Sequence, residues 1–149
     1  MLWSDHRKRV TRAAHRLILR RMILGKFITF EGGDGVGKST QILRLAARLR
    51  GCGIDCVLTR EPGGTPFAER VREFILGGAL PPHPAMAEAF LFAAARVDHV
   101  EALIQPALAA GQWVLSDRFA DSTRAYQGAA GGVDHDKLLQ LETLLPERP

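Results

Sequence analysis

Long apolar runs are missing from this sequence. No stretch approaches the roughly 18 apolar residues that a membrane-crossing helix needs. Cysteine is scarce: Cys52 and Cys56 are the only two, too few for a disulfide scaffold, and no Cys/His cluster has zinc-ligand spacing. The pair reads as structural thiols in a reducing compartment. The first 21 residues have neither the apolar core nor the small-residue cleavage site of a secretory signal. No internal repeat is present. What remains is ordinary: 149 residues, 46% apolar and 24% charged, the size and composition of one globular domain. That composition excludes a disordered tail, a collagen-like repeat and a coiled coil.

The formal net charge of +4 is unevenly placed. Seven of the 20 Lys and Arg fall in residues 1–21, against Asp5 alone. The rest of the chain, with 13 basic and 15 acidic residues, is nearly neutral. No broad nucleic-acid footprint follows, and neither a nucleic-acid nor a membrane partner is expected. The basic leader has three readings: a transit peptide, a polybasic arm, or a non-native extension ahead of a start at Met22. The organised pattern begins only after Met22, so the expected division is a leader, 1–21, and a single α/β domain, 22–149.

Within that domain strands alternate with helices. Phe27 to Phe30 is a short β-prone apolar run ending at a glycine-rich turn. Ser39 to Arg50 carries Ile42, Leu43, Leu45, Ala46 and Leu49 at helical spacing, with Gly51 and Gly53 as its stop. Cys56-Val57-Leu58 marks a second strand, and Phe67 to Leu76 a second helix. Gly77, Gly78 and the Pro81 to Pro84 cluster break the chain. Ala85 to Ala110 predicts one long helix kinked or interrupted at Pro106. Gln112 to Ser116 is a third strand, and helices follow from Asp121 and Asp134. The pattern predicts a parallel sheet covered on both faces. Three strands are few for a doubly wound sheet, so the C-terminal strands are expected to lie beyond Pro149.

Gly32-Gly33-Asp34-Gly35-Val36-Gly37-Lys38-Ser39 satisfies every fixed position of G-x-x-x-x-G-K-[ST], between a strand and a helix as the motif requires. Glycines let successive N–H groups converge on phosphate oxygens, and the helix that follows adds its positive end. Lys38 can reach the β- and γ-phosphates, and the Ser39 hydroxyl can ligate Mg²⁺. A nucleoside triphosphate with Mg²⁺ is the expected ligand. An Asn-Lys-x-Asp base-reading motif, which a GTPase would carry, is absent. Asp34 places a carboxylate where the loop would face a second substrate.

Three further clusters fall where strand ends and helices converge, the usual ligand position in open parallel sheets. They are Thr59 to Thr65 with Arg72; Phe92 with Arg96, four residues apart and therefore on one helix face; and Asp117-Arg118-Phe119 running on to Ser122, Tyr126 and Gln127. Singly, each has a plain alternative as surface charge, core aromatic or local ion pair. Jointly they suit a nucleotide acceptor: arginines for a monophosphate, an aromatic for a base, and amide and hydroxyl groups for its edge.

Phe30 to Thr40, Arg60-Glu61-Pro62-Gly63-Gly64-Thr65 and Asp117-Arg118-Phe119 with Ser122 and Ala125-Tyr126-Gln127-Gly128 resemble the bacterial thymidylate kinases, over about residues 22 to 149. The resemblance implies a P-loop NTPase-type parallel sheet, γ-phosphoryl transfer from ATP to dTMP giving dTDP, a homodimer, and a cytoplasmic location. It implies catalytic roles for Asp34, Lys38 and Arg118, and ATP binding by Gly32, Gly33, Asp34, Gly35, Val36, Gly37, Lys38, Ser39 and Thr40. Asp34 would hold the deoxyribose 3′-hydroxyl, and Phe92 would stack on thymine. Arg96, Ser122 and Gln127 would read the base edge, and Tyr126 would press where a 2′-hydroxyl would sit. Arg60 and Arg118 would contact the acceptor phosphate, with Arg72 beside them, and Asp117 would stand with Ser39 near the metal. One departure is Gly35, where some members carry an arginine; members with glycine there supply it from a lid, expected beyond Pro149. The alternatives are therefore a catalytically deficient nucleotide-binding fragment or another P-loop nucleoside monophosphate kinase.

Overall fold

The computed structural model describes residues 25–78, 81–146 and 149; the basic leader and the expected start at Met22 lie outside the described residues. Three strands, β1 (Phe27–Phe30), β2 (Cys56–Arg60) and β3 (Trp113–Asp117), form one parallel sheet in the order β1-β3-β2. Helix α1 (Lys38–Gly51) carries the chain from β1 to β2. Helices α2 (Pro66–Leu76) and α3 (Ala85–His99), a π-helical turn (Val100–Ile104) and α4 (Gln105–Ala109) lead to β3. A short α5 (Ala120–Thr123), a second π-helical stretch (Arg124–Ala130) and α6 (His135–Thr143) follow.

The side-chain alternation of the strands builds two cores, one on each face of the sheet. In β3, Val114 packs with Val100, Ile104, Ala107 and Phe119 on one face, where Phe27 and Val57 join it. The next residue, Leu115, packs on the other face with Ile42, Ala46 and Leu49 of α1, and with Ile28, Phe30 and Leu58. Val114 and Leu115 have no exposed surface, and each such side chain contributes about 1.5–3 kcal/mol of burial. Both faces of the sheet are therefore covered, as the sequence predicts. A third cluster, Ala89, Ala93, Leu138 and Leu141, joins α3 to α6.

Two boundaries differ from expectation. Gly51 ends α1 rather than stopping it, and the turn falls at Cys52 and Gly53, the latter at φ 78°. The long helix is interrupted before Pro106, not at it: the Gln105 N–H bonds the Val100 carbonyl, five residues back. The wider turn places Pro106 in the first turn of α4, the position where a proline is best tolerated.

The register positions the site. Phe30 and Arg60 both pair with Asp117, so the carboxyl ends of all three strands lie level. Backbone bonds continue past that line, Arg118 N to Phe30 O at 3.0 Å and Glu61 N to Asp117 O at 2.9 Å. The loops leaving the strands are thus tied together where they begin.

Candidate active site

Residues 31–37 curl between β1 and α1. Gly37 caps α1 at φ 94°, in the left-handed region that a Cβ penalises. No acidic residue stands in the first turn of α1, so its positive end is uncompensated. Lys38 Nζ donates to the Gly32 and Gly33 carbonyls at 3.0 and 2.7 Å, which holds the ammonium across the loop. A cavity of about 500 Å³ opens here, lined by Gly35, Gly37, Lys38, Ser39 and Thr40 together with Arg60 and Asp117.

Ser39 Oγ donates to Asp117 Oδ2 at 2.9 Å, joining the start of α1 to the end of β3. Among the described residues no three His, Cys, Asp or Glu gather as a metal cage. A hydroxyl and one carboxylate, both hard oxygens beside a phosphate loop, suit a cation such as Mg²⁺, which takes few protein ligands and completes its shell with phosphate and water.

A second cavity, of about 420 Å³, adjoins the first, and Asp34, Glu61, Arg72 and Arg118 line both. Phe92, Glu88, Ser122, Tyr126 and Gln127 line its other sides. Arg118 joins the halves. Its Nη2 donates to Asp34 Oδ1 at 2.7 Å and to the Tyr126 hydroxyl at 3.3 Å, and its Nη1 to Ser122 Oγ at 3.2 Å. The guanidinium also lies 5.1 Å from the Tyr126 ring centre. Burial lowers the Arg118 pKa, but the Asp34 and Tyr126 contacts outweigh it and the net shift is upward. Arg118 alone among the described non-glycine residues has positive φ, 72°, a conformation that costs about 1–2 kcal/mol.

Arg72 donates to the Pro62 carbonyl at 2.9 Å. Burial, then repulsion from Arg60, lowers its pKa, as expected where cations converge. Arg60 grips Glu69 with Nη2 at 2.8 Å and Nε at 3.3 Å, and Glu69 also accepts from Gly64 N at 2.9 Å. Arg60 lines the phosphate-loop cavity but not the second one.

Beneath the second cavity lies a buried polar layer. Arg96, only 4% exposed, bonds Glu61 and, at 2.8 Å, Thr123 Oγ1, with its guanidinium over the Phe119 ring. Fully buried His99 shares a 2.7 Å hydrogen bond with Thr59 through Nε2. Glu61 Oε2 and His99 Nδ1 face each other at 3.9 Å, neither with a hydrogen-bond partner. A Cβ on Gly64 would stand 2.2 Å from Thr59 Oγ1, so only glycine lets the chain pass.

The structure thus brings Asp34, Lys38, Ser39, Arg60, Arg72, Asp117 and Arg118 to the phosphate end. It brings Phe92, Ser122, Tyr126 and Gln127 to the second cavity. Arg96 departs from that grouping: it lies under the cavity, not among its lining residues. Three acidic residues were given no role by the sequence: Glu61 and Glu31, both within the motifs quoted above, and Glu88; Glu31 accepts from Ser122 Oγ at 2.6 Å. For Glu88 a signal existed, since residues 88, 92 and 96 recur at helical spacing.

A family model described as thymidylate kinase matches residues 30–149. The chain is 60% identical over 127 residues to a thymidylate kinase of Afipia carboxidovorans, covering 85% of this chain and 53% of that protein. It is 57% identical over 125 residues to one from Rhodopseudomonas palustris, covering 83% and 54%. Among solved structures, the thymidylate kinase of Ehrlichia chaffeensis superposes with a TM-score of 0.77 at 41% identity, over 84% of this chain and 67% of that one. The chain spans about half the length of the curated relatives it matches. With the family model covering the phosphate loop, the arginines and the second cavity alike, this chain belongs to the thymidylate kinase family.

Proposed function

We propose that this chain carries the transfer site of a dTMP kinase, with ATP in the phosphate-loop cavity and dTMP in its neighbour. The observation that carries the reading is the shared wall: Asp34, Glu61, Arg72 and Arg118 line both cavities, so donor and acceptor phosphates would meet there. An oxygen of the dTMP phosphate would attack the γ-phosphorus while the bond to the β-phosphate oxygen breaks, leaving dTDP and ADP. Such transfer depends on positioning and charge neutralisation. Lys38 and the loop N–H groups would hold the donor, and Arg118 and Arg72 the acceptor phosphate, with Arg60 facing it from the donor side. Asp34 would orient the sugar, Phe92 would stack on the base, and Tyr126 would close the sugar side. Ser39 and Asp117 would hold Mg²⁺, which when bound neutralises charge on the phosphates.

In this reading residues 22–149 are part of a kinase domain that acts on the nucleotide pool of the cytoplasm. Exposed Phe67 and Phe74, seven residues apart on α2, support pairing into a homodimer. Among the described residues no helix is long and apolar enough to cross a membrane.

A second reading, nucleotide binding without turnover, is favoured by Gly35, which puts no cation where some relatives have an arginine. ADP release from ATP and Mg²⁺ by the full chain, with dTMP, dUMP, dCMP and AMP in parallel, separates the two. Release stimulated by dTMP upholds the first. Saturable dTMP binding without release selects the second, and neither binding nor release rejects both.

A further inference from the structure

An ionised carboxylate can only accept hydrogen bonds, and this fixes the direction of two bonds at the base end of the second cavity. Gln127, 5% exposed, points its side-chain Nε2 at Glu88 Oε2, 2.9 Å away. The bond requires the amide NH₂ to face Glu88, so Oε1 occupies the other side of the amide. Ser122 is similarly constrained. Its hydroxyl proton goes to Glu31 Oε2 at 2.6 Å, and Arg118, a pure donor, bonds the same oxygen at 3.2 Å. Ser122 therefore has its second lone pair to offer and no proton. Glu88, Gln127 and Ser122 all line the cavity that holds Phe92.

We infer that Glu88 is a specificity-determining residue of the acceptor cavity: by fixing the Gln127 amide it completes a proton-accepting wall that selects bases with a ring N–H between carbonyls. The inference rests on the acceptor-nucleotide reading above and deepens it. Thymine and uracil donate from that ring nitrogen. Cytosine carries a lone pair there and sets acceptor against acceptor, leaving buried polar groups without partners. A neutral amide at position 88 would let the Gln127 amide turn over and offer either end.

The test is equilibrium binding of dTMP, dUMP and dCMP to the full chain by calorimetry, for wild type, Glu88→Gln and Glu88→Asp. Wild type should prefer both imide bases to dCMP. Glu88→Gln should narrow that preference by about tenfold or more, whereas Glu88→Asp, still acceptor-only, should keep most of it. A purely structural role would weaken all three ligands together and leave the ratio unmoved. A wild-type preference retained in full by Glu88→Gln overturns the inference and leaves the kinase reading standing. Failure of wild type to bind dTMP, or equal binding of all three, overturns both. Should Glu88→Gln lose its cooperative melt, wild type is titrated with 3-methyl-dTMP, which lacks the ring N–H. A loss of about tenfold or more supports the accepting wall, and undiminished binding rejects it.

Discussion

The two cavities share a wall but are built in opposite ways. The phosphate-loop side comes mainly from one run of chain, residues 32–40, in which Lys38 bonds the loop itself while Ser39 and Asp34 reach Asp117 and Arg118. The second cavity is assembled from five separate segments and rests on the buried ion pair of Glu61 with Arg96, which also bonds Thr123. Even within the shared wall, the Asp34 side chain on the phosphate loop is 98% exposed, while that of Glu61 at the end of β2 is 2% exposed. The phosphate-loop cavity can therefore adapt when a ligand arrives, whereas the second cavity is organised before binding. Selectivity should reside in the half that is already rigid.

The sharpest way to break this comparison is to remove, in turn, the exposed and the buried carboxylate of the shared wall. Glu61→Ala strands Arg96 in the interior and should lower stability by about 3–5 kcal/mol, read as the midpoint of urea unfolding. Asp34→Ala should shift the same midpoint by less than about 0.5 kcal/mol; similar shifts for the two would erase the contrast. Arg118→Ala touches both cavities and should reduce ADP formation on the order of 10³-fold, with dTMP affinity reduced as well. Lys38→Ala should act on one side only, weakening ATP binding by roughly 100-fold while dTMP titrations stay within about twofold. A matching loss of dTMP affinity would mean that the cavities are not separable.

The smallest effect is a pH dependence. The pairing with Arg60, then the Gly64 N–H, holds the Glu69 carboxyl below its ordinary value of 4.5. Its stabilising contribution is thus complete above that unfolded value and is lost as pH falls through the lower folded one. The pair is half-exposed and contributes less than about 1 kcal/mol. Melting temperatures of wild type and Glu69→Gln should differ slightly at neutral pH and converge in acid; a gap that widens in acid would contradict the sign.

Much of this was legible from residue order. The three strands follow from short β-prone runs, and the loop follows from a consecutive motif in which every fixed position is local. The π-helical turn at Val100–Ile104 was not, because Pro106 announces a lost N–H but not which preceding turn widens to absorb it. The spacing of Phe92 and Arg96 gave the shared helix face but not the depth. Glu61, 35 positions away in sequence, draws Arg96 under the cavity. The roles of Glu31 and Glu88 were hidden for the same reason, since no local pattern shows that a carboxylate orients another side chain. The long-range contact defines it.

The left-handed backbone at Arg118 makes one position answer to two opposed demands. A glycine there would relax the φ of 72° and recover roughly 1–2 kcal/mol of backbone strain, yet it would delete the guanidinium that joins Asp34, Ser122 and Tyr126. Relief of backbone strain favours glycine there, and the proposed phosphoryl transfer favours arginine. Position 118 is therefore a stability–activity trade-off confined to a single residue.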